Sequence, residues 1–247
     1  MLNRVVIKLS GEAVGSKDSI SGYNDFVIDS IVKQIIAVKQ AGTEVAIVIG
    51  GGNLWRGISS RPDMCRVKAD QIGMLATVMN ALYLSDAFKR QGANAKVVTP
   101  MPIGNMTAVY DKESTLEWMK EGKIIINAAG LGHPYFSTDT ITALRAAELE
   151  ADVVLYAKNI DGVYNKDPRK NKDALKYKNL SYTTAIVNDL KAADITALHL
   201  AKEANLPSFV FELSAEDSIT LACAYPDTKN LNGTYITVET EEDFYAI

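Results

Sequence analysis

Short apolar runs rich in β-branched residues alternate along the chain with longer stretches of helical spacing. Val5-Val6-Ile7 and the uninterrupted run 45–49 predict two strands, and 95–98, 123–126, 152–155 and 208–211 predict four more. Between them, residues 25–41 carry Ile28, Ile31, Val32, Ile35, Ile36 and Val38 at the spacing of one helix face. Further helices are expected over 67–90, 139–150 and 189–204. Strands that are apolar on both faces and alternate with helices imply an α/β fold. Its centre would be a mainly parallel sheet sandwiched by helices in three α/β/α layers. Asp161-Gly162 and Asp167-Pro168 are turn signals, so a hairpin-like excursion is expected there. The polar stretch 167–178 reads as an exposed loop.

The helix over 67–90 is unusual. Ile72, Met74, Leu75, Val78, Met79, Leu82, Tyr83, Leu84 and Phe88 cover more of its circumference than the roughly 100° stripe of a surface helix. Such a helix is expected to be covered on both sides. The simplest second cover is the same helix of another subunit across a two-fold axis, and long loops of the same chain are the alternative.

Length changes this picture little: 247 residues allow one large domain or two small ones. No internal repeat or long linker is present, and a soft boundary near Tyr156 divides a single domain into approximate lobes 1–155 and 156–247. A content of 47% apolar and 23% charged residues excludes a wholly disordered or fibrous chain. The formal net charge of −4 gives no bulk attraction to nucleic acid or to an anionic membrane. An anionic ligand would therefore be held by loops, helix N-termini and single cations. Cys65 and Cys223 fit no metal-ligand spacing and read as two small buried or half-buried thiols, with one disulfide as the alternative. Lys8 interrupts the N-terminal apolar run before a signal-peptide core is complete, and no run approaches the ~18 residues of a membrane span. A soluble, cytoplasmic protein is expected.

Three glycine-bearing loops, each directly after a predicted strand, carry the candidate chemistry. Ligands of open parallel sheets bind beyond the carboxyl ends of the strands, so the loops should converge. In Lys8-Leu9-Ser10-Gly11-Glu12 a lysine beside small residues offers a positive charge and backbone N–H groups to a phosphate. Gly50-Gly51-Gly52-Asn53-Leu54-Trp55-Arg56-Gly57 combines close backbone approach and permitted positive φ angles with the planar donor fork of Arg56. The third loop runs from Ala129 to Asp139. Ser137, Thr138 or Asp139 would cap the following helix, or the same hydroxyls and rings would line a pocket for a small polar ligand with a flat group.

The common nucleotide fingerprints are missing. There is no G-x-x-x-x-G-K-[ST] and no G-x-G-x-x-G, and no G-x-S-x-G nucleophile elbow. Two histidines far apart, His133 and His199, exclude a histidine-rich metal centre.

Taken together, the first two loops, the stretch 69–82 (Ala-Asp-Gln-Ile-Gly-Met-Leu-Ala-Thr-Val-Met-Asn-Ala-Leu), Asp161-Gly162-Val163-Tyr164 and Asp167-Pro168 closely resemble the bacterial UMP kinases of the amino-acid-kinase superfamily. The resemblance extends over nearly the whole chain. It implies an amino-acid-kinase-like fold and transfer of the γ-phosphoryl group of ATP to UMP in pyrimidine nucleotide biosynthesis. Lys8, Leu9, Ser10 and Gly11 would contact ATP phosphates, with Gly52 and Arg56 beside them. Tyr164 and Asp167 would contact the ATP base and ribose, and either Lys158 or Asn159 would add a further ATP contact. Gly51 and Asp70 would hold UMP, with Asp70 on the ribose hydroxyls, and Leu131, Gly132, His133, Pro134, Tyr135, Phe136, Ser137 and Thr138 would wrap its uracil and phosphate. Asp139 and Asp194 match acidic positions that organise lysines and Mg2+ in the superfamily, and helix capping is the alternative role of each.

This chain departs from the resemblance at Leu131 and His133, where many members carry hydroxyl and amide side chains, and in the length of segment 15–23. That segment corresponds to one linked to GTP activation in many relatives. The resemblance also implies a homohexamer built from three dimers, with GTP as activator and UTP as inhibitor. The alternative functions are a kinase of the same fold acting on a carboxylate or carbamate, and an inactive nucleotide sensor.

Overall fold

The apolar run at the start of the chain becomes strand β1 (Arg4–Leu9), and it lies at the centre of the sheet. It pairs in parallel with β2 (Glu44–Ile49) on one side and, after a long crossover, with β6 (Val153–Lys158) on the other. Beyond β2 come β5 (Ile124–Asn127), β3 (Ala95–Thr99) and the short β4 (Ala108–Val109), all parallel. Beyond β6 lies β8 (Ser208–Glu212), also parallel. The computed structural model describes residues 2–16, 19–56, 63–224 and 232–245.

Past β8 the sheet becomes mixed. Strand β9 (Gly233–Thr237) is antiparallel to β8, β7 (Tyr177–Ser181) is parallel to β9, and β10 (Asp243–Phe244) closes the edge antiparallel to β7. One ten-stranded sheet thus spans both expected lobes. The patterning predicts the parallel centre and misses this edge. Strands such as β7 and β10 are too short or too polar to show a run of their own, and pairing with neighbours is what holds them.

Alternation along the strands sorts the core into two faces. Val5, Ile7 and Leu9 point to one side, where they meet α1 (Gly11–Val14), α2 (Asp25–Gln40), α3 (Arg66–Arg90) and α8 (Ser218–Cys223). Val6, Val48, Val154 and Tyr156 point to the other, against α4 (Lys112–Lys120), α5 (Thr138–Glu148), α6 (Tyr182–Val187) and α7 (Ile195–Glu203). This is the expected three-layer arrangement. Tyr182, fully buried, ties the second face together by hydrogen bonds to the Leu206 carbonyl at 2.7 Å and the Ser208 hydroxyl at 2.6 Å.

Three local expectations are corrected. The helix expected over 189–204 begins only at Ile195, because the Asp194 side chain accepts from the Ala197 N–H at 2.9 Å and caps it there. The supposed loop 167–178 ends in buried structure: Tyr177 begins β7, and the Lys176 ammonium is turned inward to Asp161 at 2.7 Å. Cys223 is buried, which pushes its thiol up to about 12, but Cys65 is exposed at the start of α3, and both are free. The described residues of a single chain leave part of α3 uncovered. Val78, Leu84 and Phe88 are core residues, whereas Leu75 and Met79 are each 56% exposed and Ile72 37%. No helix among the described residues is long and apolar enough to cross a membrane.

Candidate active site

Because β1, β2, β5, β6 and β8 are parallel, their carboxyl ends share one edge of the sheet, and the three loops meet there. The period-two alternation that sends Ile7 and Leu9 to the α2–α3 side sends Lys8 to the α5 side. Its ammonium lies 3.1 Å from an Asp139 carboxylate oxygen, with side-chain exposures of only 13% and 16%. Burial alone would raise the Asp139 carboxyl, but the charges of Lys8 and Lys158 outweigh it and hold the carboxyl below its ordinary range.

Lys158 is the last residue of β6, in register with Glu212, and lies on the same face as Tyr156. Burial and the neighbouring Lys8 charge lower its ammonium, against the opposing pull of Asp139 and Asp194. Lys8 of β1, Asp139 of α5 and Lys158 of β6 thus form a Lys–Asp–Lys cluster. Of the two residues left open in the sequence, Lys158 joins that cluster and Asn159 is exposed at its rim.

Asp194 faces the cluster from α7. Besides capping its own helix it accepts from the Thr140 hydroxyl at 3.0 Å and from the Ser137 hydroxyl. Ser137 in turn caps α5, accepting from the Asp139 N–H at 2.9 Å. These bonds fasten the first turn of α5, on which Asp139 sits, to the start of α7. Capping and positioning of the charged pair are therefore one structural act.

Of the two properties read into the triple glycine, close backbone approach and positive φ, the second is not used. None of Gly50, Gly51 and Gly52 has positive φ; what they supply is the absence of a Cβ. A Cβ on Gly51 would lie 2.9 Å from the Ala76 Cβ and the Gly73 carbonyl of α3. A Cβ on Gly11 would meet the Gly50 carbonyl at 2.5 Å and the Gly52 nitrogen at 2.7 Å. The first two loops are packed backbone on backbone. Among the described residues no acceptor meets the N–H groups of Gly51, Gly52 or Asn53, so the turn presents free donors. Arg56 leaves this turn and pairs with Glu12 of the first loop.

Two clefts flank the cluster. The larger, about 670 Å³, is lined by Lys8, Ser10, Lys158, Asn159, Tyr164 and Asp167, together with Lys166, Arg169 and Lys191. Tyr164 is fixed at its wall by donating to Asp161 at 2.9 Å, and Asp161 also takes the Lys176 ammonium. Leu9 does not reach this cleft: its side chain is buried in the core and its carbonyl accepts the Gly50 N–H.

The smaller cleft, about 160 Å³, lies between the glycine turn, α3 and the third loop. Gly51, Asp70, His133, Phe136, Ser137 and Thr138 line it. Leu131 instead packs against the core, and Gly132, at φ 77°, abuts Pro100 and Met101. Pro134 is half-buried, and Tyr135, at φ 72°, turns its N–H onto Asp70 at 2.9 Å. Asp70 also takes the Arg66 guanidinium at 2.8 Å, and Arg66 lies over the Tyr135 ring. The volume is below the roughly 300 Å³ of a typical small-molecule site, because the third loop is drawn onto α3 through Asp70.

Several lining residues escaped the sequence reading. Trp55 donates its indole N–H to the Ala69 carbonyl at 2.8 Å and lines the smaller cleft with Gly73, Met74 and Thr77. Thr77 accepts the N–H of Ala129, which has a left-handed φ of 60°, and so pins the root of the third loop. Gly73, Met74 and Thr77 lie in the 69–82 stretch and Trp55 in the second loop. Helical spacing alone could not tell cleft from core.

A family model, the amino acid kinase family, matches residues 3–212, and the chain belongs to that family. Among solved structures it is similar to the UMP kinase from Bacillus anthracis, with 32% identity over 99% of both chains and a TM-score of 0.92. It is also similar to the UMP kinase from Ureaplasma parvum, at 34% identity over 95% of this chain and 98% of that one, TM-score 0.87. A uridylate kinase from Archaeoglobus fulgidus matches at 26% identity over 94% and 99%, TM-score 0.69.

The charge cluster yields a measurable expectation. Asp139→Asn leaves the Lys8 and Lys158 ammonium groups unbalanced and should lower stability at pH 7 by about 2 kcal/mol, less than for a fully buried pair. The carboxyl is held below its ordinary range when folded, so its stabilisation is complete above about pH 4 and fades as pH falls through the lower folded value. Urea unfolding of both proteins should show a gap that shrinks below about pH 4. A gap independent of pH would contradict the assignment.

Proposed function

We propose that this protein is a UMP kinase, transferring the γ-phosphoryl group of ATP to UMP and yielding ADP and UDP for pyrimidine nucleotide biosynthesis. The observation that carries the reading is the Lys8–Asp139–Lys158 cluster between two clefts, beside a turn with free N–H donors. ATP would occupy the larger cleft, with its base near Tyr164 and its ribose near Asp167. Its phosphates would point at Lys8, Lys158, Ser10 and the Gly51–Asn53 amides. UMP would occupy the smaller cleft once the third loop lifts from α3, with its ribose hydroxyls taking over the acceptor Asp70. Residues 1–155 would then mainly serve UMP and 156–247 ATP.

The chemistry asks for positioning and charge neutralisation rather than covalent participation. The attacking UMP phosphate oxygen is ionised at neutral pH, so no general base is required. Lys8 and Lys158 would lie closest to the transferred group, where their charge matters most as bonds stretch. Asp139 holds the Lys8 ammonium in place through their ion pair, and Asp194 fastens the turn that carries Asp139. Arg56, released from Glu12, would add a planar fork for phosphate oxygens.

Among the described residues no group of His, Cys, Asp and Glu forms a metal cage. Mg2+ keeps waters and is held mainly by substrate phosphates with one or two carboxylates. Asp139 and Glu12 are the carboxylates at hand. Bound there, Mg2+ would neutralise charge on the β- and γ-phosphate oxygens.

The exposed stripe Ile72, Leu75 and Met79 on α3 supports a two-fold contact between subunits, as the first step towards a hexamer of three dimers. A cytoplasmic location, GTP activation and UTP inhibition belong to the same proposal and rest on the family resemblance.

ADP release with UMP, CMP and acetylglutamate measured side by side tests the function. UMP should be the preferred acceptor, and phosphorylation of acetylglutamate in its place, or of no acceptor, would overturn the reading. Lys8→Ala should bind UMP nearly as well but lose several orders of magnitude in kcat; more than a tenth of wild-type kcat, about 1.4 kcal/mol of barrier, would remove Lys8 from its role. For Asp70→Asn a raised KM for UMP is expected, with weaker preference for ribose over deoxyribose, since charge-assisted bonds are lost. An unchanged KM for UMP beside a raised KM for ATP would place Asp70 on the other substrate. Leu75→Glu or Met79→Glu should yield smaller particles by light scattering, whereas Val78→Glu should impair folding because Val78 is core. A monomeric wild-type protein at micromolar concentration would refute the assembly.

A further inference from the structure

A run of glycines has no side chains to define its peptide planes, yet Gly50–Asn53 must present its N–H donors in one direction. The hold on that turn comes from the middle of α3. Asn80 is 1% exposed, and its amide nitrogen donates to the Gly50 carbonyl at 2.7 Å and to the Asn53 side-chain oxygen at 2.7 Å. Its amide oxygen accepts from Asn53 at 3.2 Å and from the Tyr23 hydroxyl at 3.0 Å. All four hydrogen-bonding positions of the side chain are filled, two of them in a reciprocal amide pair. On the other side, the Gly50 N–H is taken by the Leu9 carbonyl at 2.9 Å. The Gly50 carbonyl and the Gly51 N–H belong to one rigid peptide plane, so fixing the carbonyl fixes the direction of the first free donor.

We propose that Asn80 is a positioning residue for phosphoryl transfer: it locks the Gly50–Gly51 peptide so that the free N–H groups of the glycine turn face the transferred phosphoryl group. The inference rests on the phosphotransfer reading of this site, although the lock itself is independent of the substrate. Without Asn80 the Gly50 carbonyl loses this hold, the Gly50–Gly51 plane is fixed only by packing and by the Gly50 N–H, and the donors drift from their direction. Substrate contacts made by the two clefts persist, so the loss falls on the chemical step. Tyr23 touches only the amide oxygen, opposite the clamp on Gly50. It therefore serves as a control.

The test compares Asn80→Asp and Asn80→Ala with Tyr23→Phe. Asn80→Asp keeps the shape and the acceptor for Tyr23 but loses both donors. Steady-state assays with ATP and UMP should show kcat reduced at least tenfold in Asn80→Asp and Asn80→Ala, with both KM values within about threefold of wild type. Tyr23→Phe should stay within about twofold in kcat. Amide hydrogen exchange of the peptide spanning 49–55, read by mass spectrometry on the substrate-free protein, should quicken in both Asn80 variants relative to helix α5. Unchanged exchange in that peptide would overturn the lock whatever the acceptor proves to be. Unchanged kcat with faster exchange would overturn the link to catalysis, and parallel losses in kcat, both KM values and melting temperature would reduce Asn80 to a structural role. If wild type transfers phosphate to no acceptor, the functional reading fails while the exchange result still decides the lock.

Discussion

The Lys8–Asp139 ion pair, set at the end of the central strand and largely removed from water, constrains everything around it. A charge at that depth is tolerable only beside its opposite, and Lys158 adds a second cation that one carboxylate must also serve. The first turn of α5 is therefore anchored from several directions. Ser137 caps it, Asp194 grips Ser137 and Thr140 from α7, and β1 and β6 present their lysines from the same face of the sheet. Lys8 and Lys158 line the larger cleft, with Asp139 and Asp194 as the carboxylates that face them.

Backbone packing supplies the second half of the site. Gly11, Gly50 and Gly51 allow the first and second loops and α3 to approach within distances that no side chain would permit. The turn that results has free N–H groups and is closed by the Leu54 and Trp55 N–H groups on the Gly51 carbonyl. Rigidity is lent by α3, through Asn80 to Gly50 and Asn53 and through Thr77 to the strained Ala129. One helix thus braces the glycine turn and the third loop at once. Its opposite side carries the exposed Ile72, Leu75 and Met79, so whatever covers that stripe presses on the element that holds both loops.

The third loop lies closed over the smaller cleft. Asp70 is engaged by the Arg66 guanidinium and the Tyr135 N–H, contacts that the ribose of the proposed UMP substrate would have to replace. Charge-assisted bonds of this kind exchange one partner for another at small net free energy. A loop held by such bonds can close without ligand and still open to admit one. The left-handed Tyr135 and Gly132 show that the loop tip bends sharply rather than packing as a regular element.

Much of this architecture was legible in the residues. A short β-branched apolar run such as 45–49, followed by glycines, reads as a strand buried on both faces, and Ile28, Ile31, Val32 and Ile35 share one helix face, so the parallel centre and α2 followed. The resemblance carried by Lys8, the triple glycine and Asp70 named residues that the structure does bring to one edge. Tertiary structure decided the rest. The β7–β9–β10 edge exists through pairing, which leaves no local pattern in a polar strand. Whether a helix begins at 189 or 195 depended on which acid found a free N–H, and Asp194 did. Leu131 and Leu9 went to the core although their neighbours line clefts, because burial depends on which face a residue takes. The sequence alone determined which residues could carry charge, bend or pack closely; only the folded chain determined which of them meet, since contacts between residues as distant as Lys8 and Asp139 are set by strand register and helix docking rather than by any local preference.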